Sequence, residues 1–263
     1  MDMLKKELAP LTSTVWAEIE SRAAEILRAR LSARKVVRVN GPLGWQYTAV
    51  PEGRLDLVDD STDVKSGIYR TKPLTEARVR FSLNKWEMDN INRGAKDIDF
   101  SSLDSAVEKL ADFEEHAIYS GFGKGGIKGL AEASSHKNVP FGTDGTSIMG
   151  AVSQAMVTLS ASHAKGPFTL VVGTKAWTTL NKEIQGIPLA ERIERLTGGK
   201  VVHSLAVEGA FLLPQDNENL ELTIGQDFAI GYESHDTREV TLYITESFTF
   251  RVLDPALIVR FTV

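Results

Sequence analysis

The 263-residue sequence contains no cysteine. That absence removes disulfide frameworks, thiol nucleophiles, Cys-ligated zinc and iron–sulfur clusters, and it suits a reducing cytoplasm. No apolar run approaches the roughly 18 residues that span a bilayer. The start Met1-Asp2-Met3-Leu4-Lys5-Lys6 has no signal-peptide core, so the expectation is a cytoplasmic chain with no membrane partner. An excess of positive charge is also missing. Thirty Lys and Arg face 35 Asp and Glu, a net charge of -5, which argues against a nucleic-acid partner; the basic run Arg28, Arg30, Arg34, Lys35 and Arg38 is the place for a local exception.

Catalytic motifs are equally scarce. The five histidines are scattered and none makes H-E-x-x-H. Glu114-Glu115-His116 reads as a solvated helix face, because adjacent helical residues point about 100° apart. Asp59, Asp60 and Asp63 lack the glycine and terminal glutamate of an EF-hand, and G-x-S-x-G is absent. Gly121-Phe122-Gly123-Lys124-Gly125-Gly126 satisfies G-x-G-x-x-G but follows a helix instead of a strand, so it reads as a helix terminator and turn. No metal site is expected, and the reading is a binding or structural protein, not an enzyme.

What is present is strong patterning. Apolar residues Trp16, Ile19, Ala23, Ile26, Leu27 and Leu31 predict an amphipathic helix over about 12–31, followed by a strand at Val36–Val39. Residues 46–83 alternate at Leu55 and Leu57 and again at Ala77, Val79, Phe81 and Leu83, which predicts a long two-stranded ribbon needing a cover for its apolar face. A helix runs from Ser101 to Ser120, with Ser101 to Asp104 as a capping start. Next come a helix near 147–162, the strand Phe168–Val172, a helix near 175–184, and one opened by Pro188 and closed by Gly198-Gly199. Leu220 and Leu222, then Val240, Leu242, Ile244, Phe248, Phe250 and Val252, return the chain to strands that close on the Ser101 helix. The fold class is α+β, with an α/β piece inserted into a body built from separated segments.

Several blocks of wording carry a family resemblance. They are Leu8-Ala9-Pro10-Leu11-Thr12, Gly41-Pro42-Leu43-Gly44-Trp45, Phe81-Ser82-Leu83 with Trp86-Glu87, Asn92-Arg93-Gly94, Gly166-Pro167-Phe168, Gly225-Gln226-Asp227 and Thr245 to Phe250. Together and in order they resemble the encapsulin shell proteins, the linocin-type bacteriocin family. The resemblance implies the tailed-bacteriophage major capsid protein fold. Residues 1–45 would be an N-terminal helix and arm, 46–84 the extension loop, 85–135 with 215–263 the peripheral domain, and 136–214 the axial domain. It also implies that the chain partners itself in a closed icosahedral shell of roughly sixty copies.

The same resemblance supplies sites. Cargo enzymes of such shells, dye-decolourising peroxidases or ferritin-like iron proteins, dock by a C-terminal targeting peptide on the inner wall. The matching positions are Leu27, Leu31 and Arg34 from the helix, and Ile230, Tyr232, Phe248 and Phe250 from the late strands. Gln185, Gly186, Ile187 and Pro188 would line a pore, and Trp86 matches a flavin contact. No cofactor is required of the shell itself; iron or heme would come only with cargo.

Overall fold

The computed structural model describes residues 3–58, 63–181, 183–184 and 186–263. Helix α1 spans Ser13–Arg30, and Thr12 Oγ1 caps it by accepting the Val15 N–H at 3.4 Å. Its buried stripe is Val15, Ile19 and Ala23, while Trp16, Ile26 and Leu27 stay half-buried. A short 3₁₀ turn, Ala33–Lys35, follows. Strand β1 (Arg38–Asn40) starts later than its sequence suggests, because Val36 and Val37 turn into the core instead of joining a ladder. At Gly41 the backbone takes φ +133°, and a Cβ there would lie 2.4 Å from the Ile224 carbonyl oxygen; only glycine serves this close approach.

Among the described residues, strands β2 (Ala49–Val58) and β3 (Ser66–Pro73) pair with each other and with no further strand. This ribbon differs from the sequence expectation, which included Ala77 to Leu83. Those residues lie in β4 (Thr75–Asn84), which runs antiparallel to a late strand from Thr75↔Phe248 to Asn84↔Glu239. The reason is burial. Phe81 and Leu83 are nearly inaccessible in the main core, so their alternation marks a sheet with one covered face. Helix α2 (Lys85–Asn92) is capped by Asn84, and α3 (Ser101–Tyr119) forms the long spine. The capping start expected at Ser101 is one position off. Phe100 is the N-cap residue and lacks a side-chain cap, and Asp99 instead accepts the Ser101 N–H at 2.9 Å. The glycine motif after α3 is a 3₁₀ turn bridged at Phe122↔Ile127, with Gly126 at φ +68°.

After α4 (Leu130–Ala133) and β5 (Val139–Pro140), helix α5 (Gly145–Ala161) begins with a capping box between Asp144 and Ser147. Strand β6 (Phe168–Val172) is wholly buried. Helix α6 (Thr174–Leu180) stops short of the expected Ile184, since a small hairpin of β7 (Glu183–Ile184) and β8 (Ile187–Pro188) takes over. Helix α7 (Leu189–Thr197), β9 (Gly198–His203) and β10 (Ala210–Pro214) follow.

Strands β11 (Leu220–Ile224), β12 (Ala229–His235) and β13 (Glu239–Val252) complete the first sheet, in which β13 pairs with β11, β12 and β4, and β1 lies parallel beside β11. The even-numbered face of β13 carries Val240, Leu242, Ile244, Phe248 and Phe250 into cores shared with α1 and α3. Strand β14 (Val259–Thr262) corrects the expectation that the closing strands all return to the spine helix. It pairs with β10 and β5, in the sheet ordered β5-β14-β10-β6-β9. Val259 and Phe261 there fill a separate core with Phe141, Leu170 and Leu212. Among the described residues no helix is long and apolar enough to cross a membrane.

Candidate functional site

Helix α1 lies against α3 through matched charges. Asp104, Glu108 and Asp112 recur every four residues along one face of α3. Arg22 Nε reaches Asp104 at 2.9 Å, and Arg30 reaches Glu108 at 2.6 Å and Asp112 at 3.0 Å. Fixed in this way, α1 leaves its other flank open toward the edge strand β12.

Two adjoining pockets lie along that flank, of about 440 and 250 Å³, and share Ala24, Leu27 and Phe228. Leu31, Arg34, Arg28, Lys35 and Asp227 line the first; Ile230, Ile244, Lys6 and Glu20 line the second. The groove follows α1 from Glu20 to Leu31, roughly 17 Å at helical rise, which matches about five residues of extended chain. The structure therefore gathers Leu27, Leu31, Arg34 and Ile230. Tyr232 lies farther along β12, where its N–H donates to Leu4 O at 2.8 Å and its hydroxyl is 2.6 Å from His235 Nδ1.

Phe248 and Phe250 are not brought there. Both are completely buried, Phe248 edge-on to Phe113, because they lie farther along the same face of β13 than Ile244, packed on the C-terminal half of the spine helix. Phe228, which sequence reasoning missed, is the aromatic wall instead. It follows Gly225-Gln226-Asp227 at the break between β11 and β12, and the Arg34 guanidinium stands 4.9 Å from its ring centroid.

Arg34 is engaged from within. Its Nε lies 2.9 Å from Glu114 Oε1, its Nη1 lies 2.8 Å from Asp227, and Nη2 approaches Glu246 at 3.4 Å. Glu114 and Glu246 are fully buried, so one guanidinium serves two interior carboxyls and one at the surface. Burial, with the neighbouring Glu114 charge, pushes Glu246 well above the ordinary carboxyl range. One step along α3, Glu115 accepts the Ala33 N–H at 2.8 Å and is bonded to Ser32 Oγ. Burial raises Glu115 to about 7 against those hydrogen bonds, which favour its charged form. The Glu114-Glu115 pair is thus the opposite of the solvated face expected from sequence. Both sides of α3 are covered at this level, one by Arg34 and β13, the other by Ser32 and Ser204.

Of the remaining predicted positions, Gln185 lies outside the described residues. Gly186, Ile187 and Pro188 form the far side of the β7–β8 hairpin, with Gly186 exposed at φ +81°. Trp86 is 70% exposed at the start of α2, with the Arg93 guanidinium 5.6 Å from its ring centroid. It lines neither the groove nor the polar cleft between α1 and residues 94–100. Within one chain it offers an open ring face and no enclosure. Among the described residues no group of three His, Asp or Glu side chains is placed to hold a metal.

Two sheets, a spine helix crossing one of them and a ribbon projecting from the body define a phage-capsid fold. The capsid of Myoviridae phage XM1 is similar with a TM-score of 0.57 at 10% identity, covering 88% of this chain and 91% of that one. A virus-like particle from Pyrococcus furiosus is similar with a TM-score of 0.69 at 17% identity, covering 94% and 98%. The family is narrower than the fold. Residues 1–249 match the model described as "Encapsulating protein for peroxidase", and the type 1 encapsulin shell protein of Rhodospirillum rubrum is 36% identical over 97% of this chain and 94% of its own length. This chain belongs to the encapsulin shell protein family.

Proposed function

We propose that the chain is the self-assembling subunit of an icosahedral encapsulin compartment, which encloses a cargo enzyme and admits small substrates through pores. The observation that carries the assembly reading is the β2–β3 ribbon. Among the described residues no further strand pairs with it, and it exposes Leu57 at 80%, Ile68 at 68% and Tyr69 at 77%. A ribbon of two strands is marginal alone in water, and apolar side chains on such an element are those a neighbour would cover. In this reading residues 46–74 are the extension loop, 136–214 the axial domain and the rest the body, with β4 (75–84) returned to the body and residues 259–262 reassigned to the axial sheet.

The groove between α1 and β12 is the proposed seat of the cargo's C-terminal targeting peptide. The cargo class follows the family model's wording, a peroxidase, with a ferritin-like iron protein as the alternative. The turn at Gly186, Ile187 and Pro188, with Gln185, is the proposed pore lining. Trp86 is read as a contact for a neighbouring subunit, and flavin absorbance in shells purified without cargo is the test of the other role. Electron microscopy of the pure protein tests the whole reading. Uniform closed shells without nucleic acid are expected; a monomer on sizing overturns it, and shells filled with nucleic acid favour a viral capsid. Leu31→Asp puts a charge into the groove and is expected to leave shells intact with cargo loading reduced at least tenfold; undiminished loading removes the groove assignment.

A further inference from the structure

The groove is electrically lopsided. At its β12 end the Lys6 ammonium is bonded to Glu20 and stands 5.4 Å from the Trp16 ring centroid, so that end is neutralised. At the other end Arg34, the cation among the positions that the resemblance matches to cargo docking, is committed to Glu114, Asp227 and Glu246. Asp227 is itself consumed by Arg34 and by the Phe228 N–H, which it accepts at 2.8 Å. Two cations remain there, Arg28 and Lys35, both exposed and, among the described residues, without an ion-pair partner. Both line the same pocket as Leu27 and Leu31.

We infer that Arg28 and Lys35 set the polarity and selectivity of the groove, and that its occupant is an extended peptide carrying an acidic side chain beside the apolar residues that fill the Leu27–Leu31 pocket. This rests on the groove being the cargo seat and adds the chemistry of its occupant. Arg34 becomes a positioning residue that ties the end of α1 to the sheet and holds Phe228, while the charge seen by the occupant comes from its two neighbours. Rim charges act mainly on encounter, direction and salt dependence, and apolar contact supplies the bulk of the affinity. A carboxylate meeting two free cations at a partly exposed site is expected to gain about tenfold over its neutral amide, with the gain fading as salt shortens the screening length.

The test is co-production of the full-length shell protein with a fluorescent protein whose C-terminus carries a short apolar segment containing one Asp. Matched probes replace that Asp by Asn or Lys. Loading is read as fluorescence per purified shell. Expected is the order Asp over Asn over Lys in the wild-type shell, and the reverse order when Arg28→Glu and Lys35→Glu are combined, with shell size unchanged. Equal loading of all three probes, still abolished by Leu31→Asp, overturns the charge assignment and leaves the groove as cargo seat. An Asn probe that loads like the Asp probe until a flexible tail is added beyond it assigns the carboxylate to the chain end and overturns the side-chain assignment. Failure of every probe to enter intact shells overturns the peptide seat on which the inference rests.

Discussion

Glu246 interrupts the even-numbered apolar register of β13 between Ile244 and Phe248, with its Oε1 buried and lacking a hydrogen-bond partner among the described residues. A carboxyl in such a place must be protonated or paired, and here Arg34 is shared among three acids. Glu115 extends the same region. Its folded value near 7 lies above the ordinary 4.5, so the folded state holds the extra proton. Its stabilising contribution is complete below about pH 4.5 and is lost as pH rises through about 7, a change of about 3 kcal/mol. Urea unfolding followed by tryptophan fluorescence is therefore expected to show lower stability at pH 8 than at pH 5. Glu115→Gln, which can still accept from Ala33 and Ser32, is expected to flatten that slope by about 1–3 kcal/mol; equal slopes in both proteins dismiss the linkage. The sequence did contain the signal for Glu246, an acid at a core position. It held none for Glu114 and Glu115, since burial of adjacent residues on one helix requires cover from two sides, and that cover comes from residues 80 and more positions away.

Helices and strands were legible where one apolar face repeats. The register of α1, the length of α3, the strand Phe168–Val172 and the long alternation of β13 all follow from spacing alone. Pairing was less legible, because alternation specifies a covered face and not the partner. Thus Ala77 to Leu83 read as ribbon although β4 belongs to the main sheet, and Val259–Thr262 read as body although β14 pairs with β10. The groove was half legible. Leu27 and Leu31 continue the apolar stripe of α1, whereas Phe228 sits in a connection with no period to reveal it. The element with the clearest external demand is the ribbon. Leu57→Asp with Ile68→Asp is expected to leave subunits folded, with unchanged circular dichroism, and to abolish closed shells in sedimentation velocity. Normal shells from this variant would remove the ribbon from the contact.

On the size scaling of folded monomers, a chain of 28.8 kDa exposes about 11,000 Å², and this one exposes 14167 Å². The excess is what a subunit shows when part of its surface is meant for copies of itself, and it agrees with the apolar residues on the ribbon. Subunits released by denaturant and returned to dilute buffer are expected to reassemble or precipitate without a lasting monomer peak in sedimentation. A stable monomer would count against that use of the surface.

The ribbon meets the body at its root, where the Leu74 N–H donates to Thr48 O at 2.8 Å and the Lys72 ammonium donates to Gly126 O at 2.8 Å. Strands of this length extend about 33 Å, so a turn of about 10° at the root carries the tip about 6 Å. A ribbon rooted in this way would act as a lever, carrying the exposed Leu57, Ile68 and Tyr69 through a small rotation at its base with the three hydrophobic cores left as they are.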